Sequence, residues 1–157
     1  MTISVQIDLG YEFEVRAKFD EVFAVLSDVP KSVSHFPKVR KLTHLDNGIY
    51  QWEMQRVGTP QIHIQTVYAC QYVADKARGT VRWTPVEGVG NAQVRGHWKI
   101  TDRHGRSTKV AFHTEGTVTV PFPALMKPVI APLVTSEFEK LVEKYIANLV
   151  ETFGGEV

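Results

Sequence analysis

The sequence has a single cysteine, Cys70, among 157 residues. An internal disulfide framework is therefore excluded, and a reducing compartment fits. An excess of either charge is also missing: 18 Lys and Arg stand against 17 Asp and Glu, for a formal net charge of +1. Such a balance leaves no electrostatic footprint for nucleic acid, so none is expected as a partner. No apolar run approaches the ~20 residues of a membrane-spanning helix, which argues against stable membrane insertion. The opening MTISVQIDLG has neither a basic leader nor a long apolar core. It predicts no signal peptide and a cytoplasmic protein.

Chemical motifs are equally sparse. There is no H-x-x-x-H or C-x-x-C pair, no G-x-S-x-G, no P-loop and no G-x-G-x-x-G; the GVG at 88–90 lacks the remainder. Of the six histidines, His63, His97 and His113 take the outward phase of their strands, while His35, His44 and His104 fall in turns or edges. His97 and His113 suit cross-strand neighbours with Glu115 nearby, read as a solvated outer face. Cys70 has the inward phase with no inward histidine to activate it, so it reads as a small core residue. Neither a metal nor a cofactor is expected.

What the chain does have is pattern. Residues 3–15, ISVQIDLGYEFEV, alternate strictly and predict a half-buried strand. FDEVFAVLSDVP then changes to helical spacing, and PKSVSHFP reads as a second short helix with Pro30 in its first turn. From 38 to 120 the period returns to two, broken by DNG, GTP, ADKARG, EGVGN and DRHGRS, which gives about six strands joined as a meander. Residues 61–73, QIHIQTVYACQYV, read as one of those strands. The segment from 121 onward ends as a long helix with an apolar stripe through Val134, Phe138, Leu141, Val142, Tyr145, Ile146 and Leu149. One α+β domain over 1–157 is expected. Its antiparallel sheet of about seven strands curls, because strands twist, and the last helix is the one element able to cover the concave face.

Strand phase assigns the faces. Tyr50, Trp52, Met54 and then Arg56 point inward from one strand, and Thr66, Tyr68, Cys70 and Tyr72 from the next. Trp83, Trp98 and Thr114 follow from the later strands, and Phe138 from the helix stripe. Inward Gly96 and Gly116 bring no side chain to fill space. This set either packs a core or lines an apolar small-molecule pocket with sparse polar groups. Arg56 stands out, because an unpaired buried guanidinium is costly. As the last inward residue before Gly58 it either reaches solvent at the rim or stands at a pocket mouth, binding a carboxylate, phosphate or enolate oxygen. FPALMKPVIAPLV contains Pro123, Pro128 and Pro132, so the helix proper is expected to start near Pro132. Residues 121–131 are then either an irregular core segment or a mobile flap, with Met126, Val129 and Ile130 as its gate. A membrane-surface contact is opposed by the lack of positive charge beyond Lys127.

The order of elements resembles the helix-grip fold of the SRPBCC (START, polyketide cyclase, birch-pollen-allergen-like) superfamily. FDEVFAVLSDVPKSVSHFPKV is similar to the first-helix segment of bacterial cyclase/dehydrase and coenzyme-Q-binding members. NGIYQWEM and RGHWKITDRHGRSTKV look like the middle and late hairpins of that group. The resemblance implies a curved sheet wrapped on the C-terminal helix and a hydrophobic ligand, such as a lipid, quinone or polyketide-like compound, between them. It leaves two functions open, carriage of that ligand and a cyclase/dehydratase acting through tyrosine and arginine. In the aromatase/cyclase branch an arginine commonly precedes the turn that VAD at 73–75 resembles; Tyr72 stands there, leaving Arg56 with Tyr50 and Tyr68 as substitutes. A partner-binding role would need a large outward apolar patch, whereas the outward phases are rich in Gln, Arg, His and Glu.

Overall fold

The computed structural model describes residues 2–157. Strand β1 (Ile3–Val15) is followed by helices α1 (Phe19–Ser27) and α2 (Val29–Val33). The chain then runs through β2 (Val39–Asp46), β3 (Ile49–Met54), β4 (Val57–Gly58), β5 (His63–Ile64), β6 (Val67–Asp75), β7 (Thr80–Pro85), β8 (Ala92–Arg103) and β9 (Ser107–Val120). A single 3-10 turn, Ala124–Met126, leads into α3 (Lys127–Thr152). Seven strands form one antiparallel sheet in the order β1-β9-β8-β7-β6-β3-β2, while β4 and β5 pair as a separate ribbon. With the long C-terminal helix this is the helix-grip fold, of class α+β.

The alternation of β1 becomes burial: Ile3, Val5, Ile7 and Leu9 are buried, with Ser4, Gln6, Asp8 and Gly10 exposed between them. Its partner β9 pairs with it in unbroken register from Ile3↔Val120 to Val15↔Thr108. At the far side β2 meets β3 with two register shifts, between Val39 and Lys41 and between His44 and Asp46. Such irregularities bend a sheet and increase its twist. Gly48 closes the β2–β3 turn at φ +71, and a Cβ there would stand 2.8 Å from the Tyr72 carbonyl oxygen. The turn therefore requires glycine on two counts.

Two sequence expectations change. Residues 61–73 are not one strand: the ladder stops between β5 and β6, and the side chain of Asn91 fills the break. It accepts from the Val67 amide at 2.9 Å and donates to the Gln65 carbonyl at 3.0 Å. The inward phase survives the interruption, since Ile64, Thr66, Tyr68 and Cys70 are all buried. The last helix starts at Lys127 rather than near Pro132. Pro128 occupies the first turn, where no amide bond is lost, and Pro132 gives up one helical bond inside the element. The helix continues through it because Ile130 and Val134 already anchor its buried face, which goes on to Leu141, Val142, Tyr145 and Leu149. Past the helix the chain returns to the sheet, where the Val157 amide bonds to the Glu14 carbonyl at 3.0 Å.

Candidate ligand cavity

A cavity of about 50 Å³ lies between the concave face of the sheet, the two short helices and α3. The sheet contributes Trp52 from β3, Tyr68 and Tyr72 from β6, Val81 and Trp83 from β7, Trp98 from β8 and Phe112 from β9. Leu26, Val29, Ser32 and Val33 come from α1 and α2, Phe36 from the connector after α2, and Tyr145 from α3. Among the described residues, no charged side chain lines it.

Register explains why the rings converge. Trp52 is paired with Tyr68, Tyr72 with Trp83, and Trp98 with Phe112. The aromatic side chains close into a belt: Trp52 to Phe36 at 5.3 Å, Phe36 to Tyr145 at 4.9 Å, Tyr145 to Phe112 at 6.3 Å. Phe112 to Trp83 at 5.8 Å and Trp83 to Tyr72 at 6.0 Å continue it. The Trp52 indole N–H completes the circuit by donating to the Tyr72 hydroxyl at 2.8 Å. Gly96, expected to leave space, has a different part in this. Its missing side chain makes room for the Trp83 indole, which a Cβ would meet at 2.7 Å.

The polar groups on the cavity wall differ in how they are satisfied. Tyr145 and Ser32 share a hydroxyl–hydroxyl bond at 2.5 Å. Tyr72 accepts from Trp52. Tyr68 is 8% exposed, and its hydroxyl bonds to no protein group among the described residues, yet it remains accessible from the cavity. Burial pushes all three phenols up, Tyr145 to about 12 against the opposing pull of its bond with Ser32. All three are therefore neutral hydroxyls at ordinary pH, able to donate a hydrogen bond and unable to act as ready bases. Cys70 is fully buried, donates weakly to the Val94 carbonyl at 3.3 Å, and burial raises its thiol to about 12, so no thiolate nucleophile is at hand.

A second apolar chamber of about 60 Å³ lies alongside, between β1, β8, β9 and α3. Thr114 and Phe138 line it, with Gly116, Val94 and Val142, and it shares Phe36 and Phe112 with the first. The sequence-derived site therefore divides. Trp52, Tyr68, Tyr72, Trp83 and Trp98 surround the first chamber, while Thr114 and Phe138 face the second. Met54 and Thr66 are buried in the wall without lining either space. Tyr50 sits toward the sheet edge, its ring stacked on His44 at 4.6 Å. Ile130, expected in a gate, is fully buried core at 0% exposure, whereas Met126 is half-buried and Leu125 is 93% exposed. Arg56 is exposed and lines an open groove with His63, Gln65, Asn91 and Thr119, away from both chambers. β3 ends at Met54, so the pleat that aims Tyr50, Trp52 and Met54 inward no longer governs residue 56.

Sequence reasoning passed over Ser32, Phe36 and Tyr145 as site residues. Tyr145 was visible on the helix stripe, and Val29, Ser32, Val33 and Phe36 share one face at helical spacing, which was the available signal. On the convex face, Asp8, His113 and Glu115 bring ligand-type atoms within 4.8 Å of one another. His113 Nε2 lies 2.7 Å from an Asp8 carboxylate oxygen, and Arg82 and Arg95 stand in register with His97 and Glu115. This is a hydrogen-bonded polar cluster with cationic neighbours, and none of its members lines the first chamber. No helix among the described residues is long and apolar enough to cross a membrane.

Comparison with known proteins agrees with this fold. Residues 6–153 match the family described as polyketide cyclase / dehydrase and lipid transport. No curated protein matches in sequence. Among solved structures, the Zhui aromatase/cyclase from Streptomyces sp. R1128 is similar over 93% of this chain and 90% of its own, at 18% identity and a TM-score of 0.63. A START superfamily protein from Mycobacterium smegmatis has 14% identity and a TM-score of 0.63, over 92% of this chain and 97% of its own. A point mutant of norcoclaurine synthase from Thalictrum flavum, in complex with a transition-state analogue, has 16% identity and a TM-score of 0.62, covering 96% of both chains. At such identities the likeness to these structures concerns the fold. The family match spans nearly the whole sequence, and the chain belongs to the polyketide cyclase / dehydrase and lipid transport family.

Proposed function

We propose that the protein binds an uncharged hydrophobic molecule that carries a hydrogen-bond acceptor, such as a ketone, ester or quinone carbonyl. The observation that carries this reading is the Tyr68 hydroxyl, without a hydrogen-bond partner among the described residues and open to an otherwise apolar cavity. Because that hydroxyl is engaged by no such protein group, a ligand acceptor in the cavity would gain a hydrogen bond of about 0.5–1.5 kcal/mol without breaking one. Charged ligands are disfavoured, because no cation or anion lines the space to offset desolvation. As it stands the cavity is smaller than the ~300 Å³ at the low end of sites for drug-sized ligands, so binding a larger molecule requires the walls to move.

The same arrangement favours carriage over catalysis. A cyclase or dehydratase needs a base as well as a donor, and the cavity wall offers neutral phenols, a serine hydroxyl and indoles. Arg56, the cation that sequence reasoning put forward for enolate stabilisation, lies outside the cavity. The test uses a neutral naphthyl ketone dye, prodan, whose emission rises and shifts to the blue on entering an apolar site. Saturable binding that weakens about two- to tenfold in Tyr68→Phe is expected, the loss of one neutral hydrogen bond. Equal affinity of Tyr68→Phe and the unmodified protein would remove the assigned role of the hydroxyl.

A further inference from the structure

Phe36 occupies a singular position. It borders the first chamber with Trp52 and Tyr145, borders the second with Phe112 and Phe138, and also lines an open outer groove of about 440 Å³ with Pro30, Val39 and Tyr50. Two inner spaces and the solvent thus meet at one side chain. Phe112, the other wall shared by the two chambers, is fixed in the β8–β9 ladder and packed on Trp83 and Trp98. Phe36 belongs to no strand or helix. It follows α2 in an irregular connector, is half-buried, and is succeeded by Pro37 and by Lys38 at φ +58. A non-glycine residue in the left-handed region is held there by its surroundings, here in part by the Gln55 amide bonding to the Lys38 carbonyl at 2.8 Å.

We infer that Phe36 is the door of the ligand site, and that its withdrawal joins the two chambers into one. The inference rests on the ligand-binding reading above and supplies what that reading lacks, a route from solvent and enough length for a multi-ring or chain-like molecule. Opening requires the 34–38 connector to swing from α3. Two contacts beside Phe36 act as its latch: His35 Nε2 meets Thr152 Oγ1 at 2.8 Å, and the Asn148 side-chain amide donates to the His35 carbonyl at 2.8 Å. Both are single hydrogen bonds at or near the surface, so the connector is held more weakly than the ladder on which Phe112 sits. With the door shut, the space on either side of Phe36 admits only a small ring; with it open, position 36 sets how long a ligand fits.

Stopped-flow association of prodan tests this with two variants. Phe36→Ala removes the door and is expected to bind about tenfold faster or more, since the competent open state no longer has to be reached first. His35→Cys with Thr152→Cys, joined through an ethylene bis-disulfide spacer because the 2.8 Å contact is between side-chain tips, replaces the latch by a bridge that can be made (the oxidised form) and reduced at will. Buried Cys70, with its raised thiol, leaves that pair undisturbed. The oxidised form is expected to bind at least about tenfold more slowly than the same protein after reduction. Equal rates for oxidised and reduced forms overturn the door, whatever Phe36→Ala does, and this arm stands even where the alanine variant fails to fold. Failure of the unmodified protein and of both variants to bind prodan at all would remove the ligand reading and the door with it.

Discussion

The indole N–H of Trp52 donates to the Tyr72 hydroxyl at 2.8 Å, while the hydroxyl of Tyr68, whose ring stacks on the same indole at 5.4 Å, bonds to no protein group among the described residues. Two tyrosines four residues apart on one strand face one cavity, and one holds an indole while the other is the donor assigned to the proposed ligand. Replacing each by phenylalanine separates the roles. Tyr72→Phe strands a buried indole donor and should lower unfolding free energy by about 1–3 kcal/mol. Tyr68→Phe removes a hydroxyl that stabilises nothing in the protein and should stay within about 0.5 kcal/mol while weakening ligand binding. Urea denaturation of both variants measures the contrast, and similar losses in the two would contradict it.

Gly96 lies opposite Trp83 in the β7–β8 ladder, and an added methyl would strike the His113 carbonyl and the indole face. Its backbone is ordinary for a strand, so the effect of Gly96→Ala is one of space alone. We expect a loss of about 1–3 kcal/mol from overpacking, together with a changed tryptophan fluorescence spectrum as Trp83 is displaced. Retained stability with an unchanged spectrum would count against the tight seat described for Trp83.

Most of the fold was legible because strict alternation leaves little freedom: β1 runs over the residues its pattern marks, and the meander, the two short helices and the covering helix follow in order. The site was less legible for physical reasons. Period-two phase holds only while a strand lasts, and β3 ends before Arg56. Proline counts mislead where a buried face carries the helix through, as Ile130 and Val134 do around Pro132. Phe36 lies beyond the end of α2, so its helical spacing from Val29 could place it on the inner face but not between the two chambers.

Arg56 provides a direct check on that difference. Exposed, lining an open groove and remote from Tyr68, it should be dispensable for the cavity. Arg56→Ala is expected to leave prodan affinity unchanged and to shift stability by no more than about 0.5 kcal/mol. A marked loss of affinity would bring the arginine back to the site and revive the enolate-stabilising role.

Alkaline titration reports on the closed aromatic interior. Burial raises the Cys70 thiol from 9.0 to about 12 and the Tyr145 phenol from 10.0 to about 12, and it raises Tyr68 and Tyr72 well above 10.0. In each case the folded state holds its proton more tightly than the unfolded chain. Between the ordinary and the raised values the folded protein therefore binds more protons, and stability falls as pH rises. The contribution is fully present below about pH 9 and disappears on the way to about pH 12. Ultraviolet titration should then show Tyr68, Tyr72 and Tyr145 ionising together with unfolding, as a steep and cooperative step. Cys70→Ala should delay the onset of the decline, because its thiol is the first of the four groups to ionise in the unfolded chain. Smooth, non-cooperative ionisation of all five tyrosines in a still-folded protein would mean that the aromatic belt is open to water.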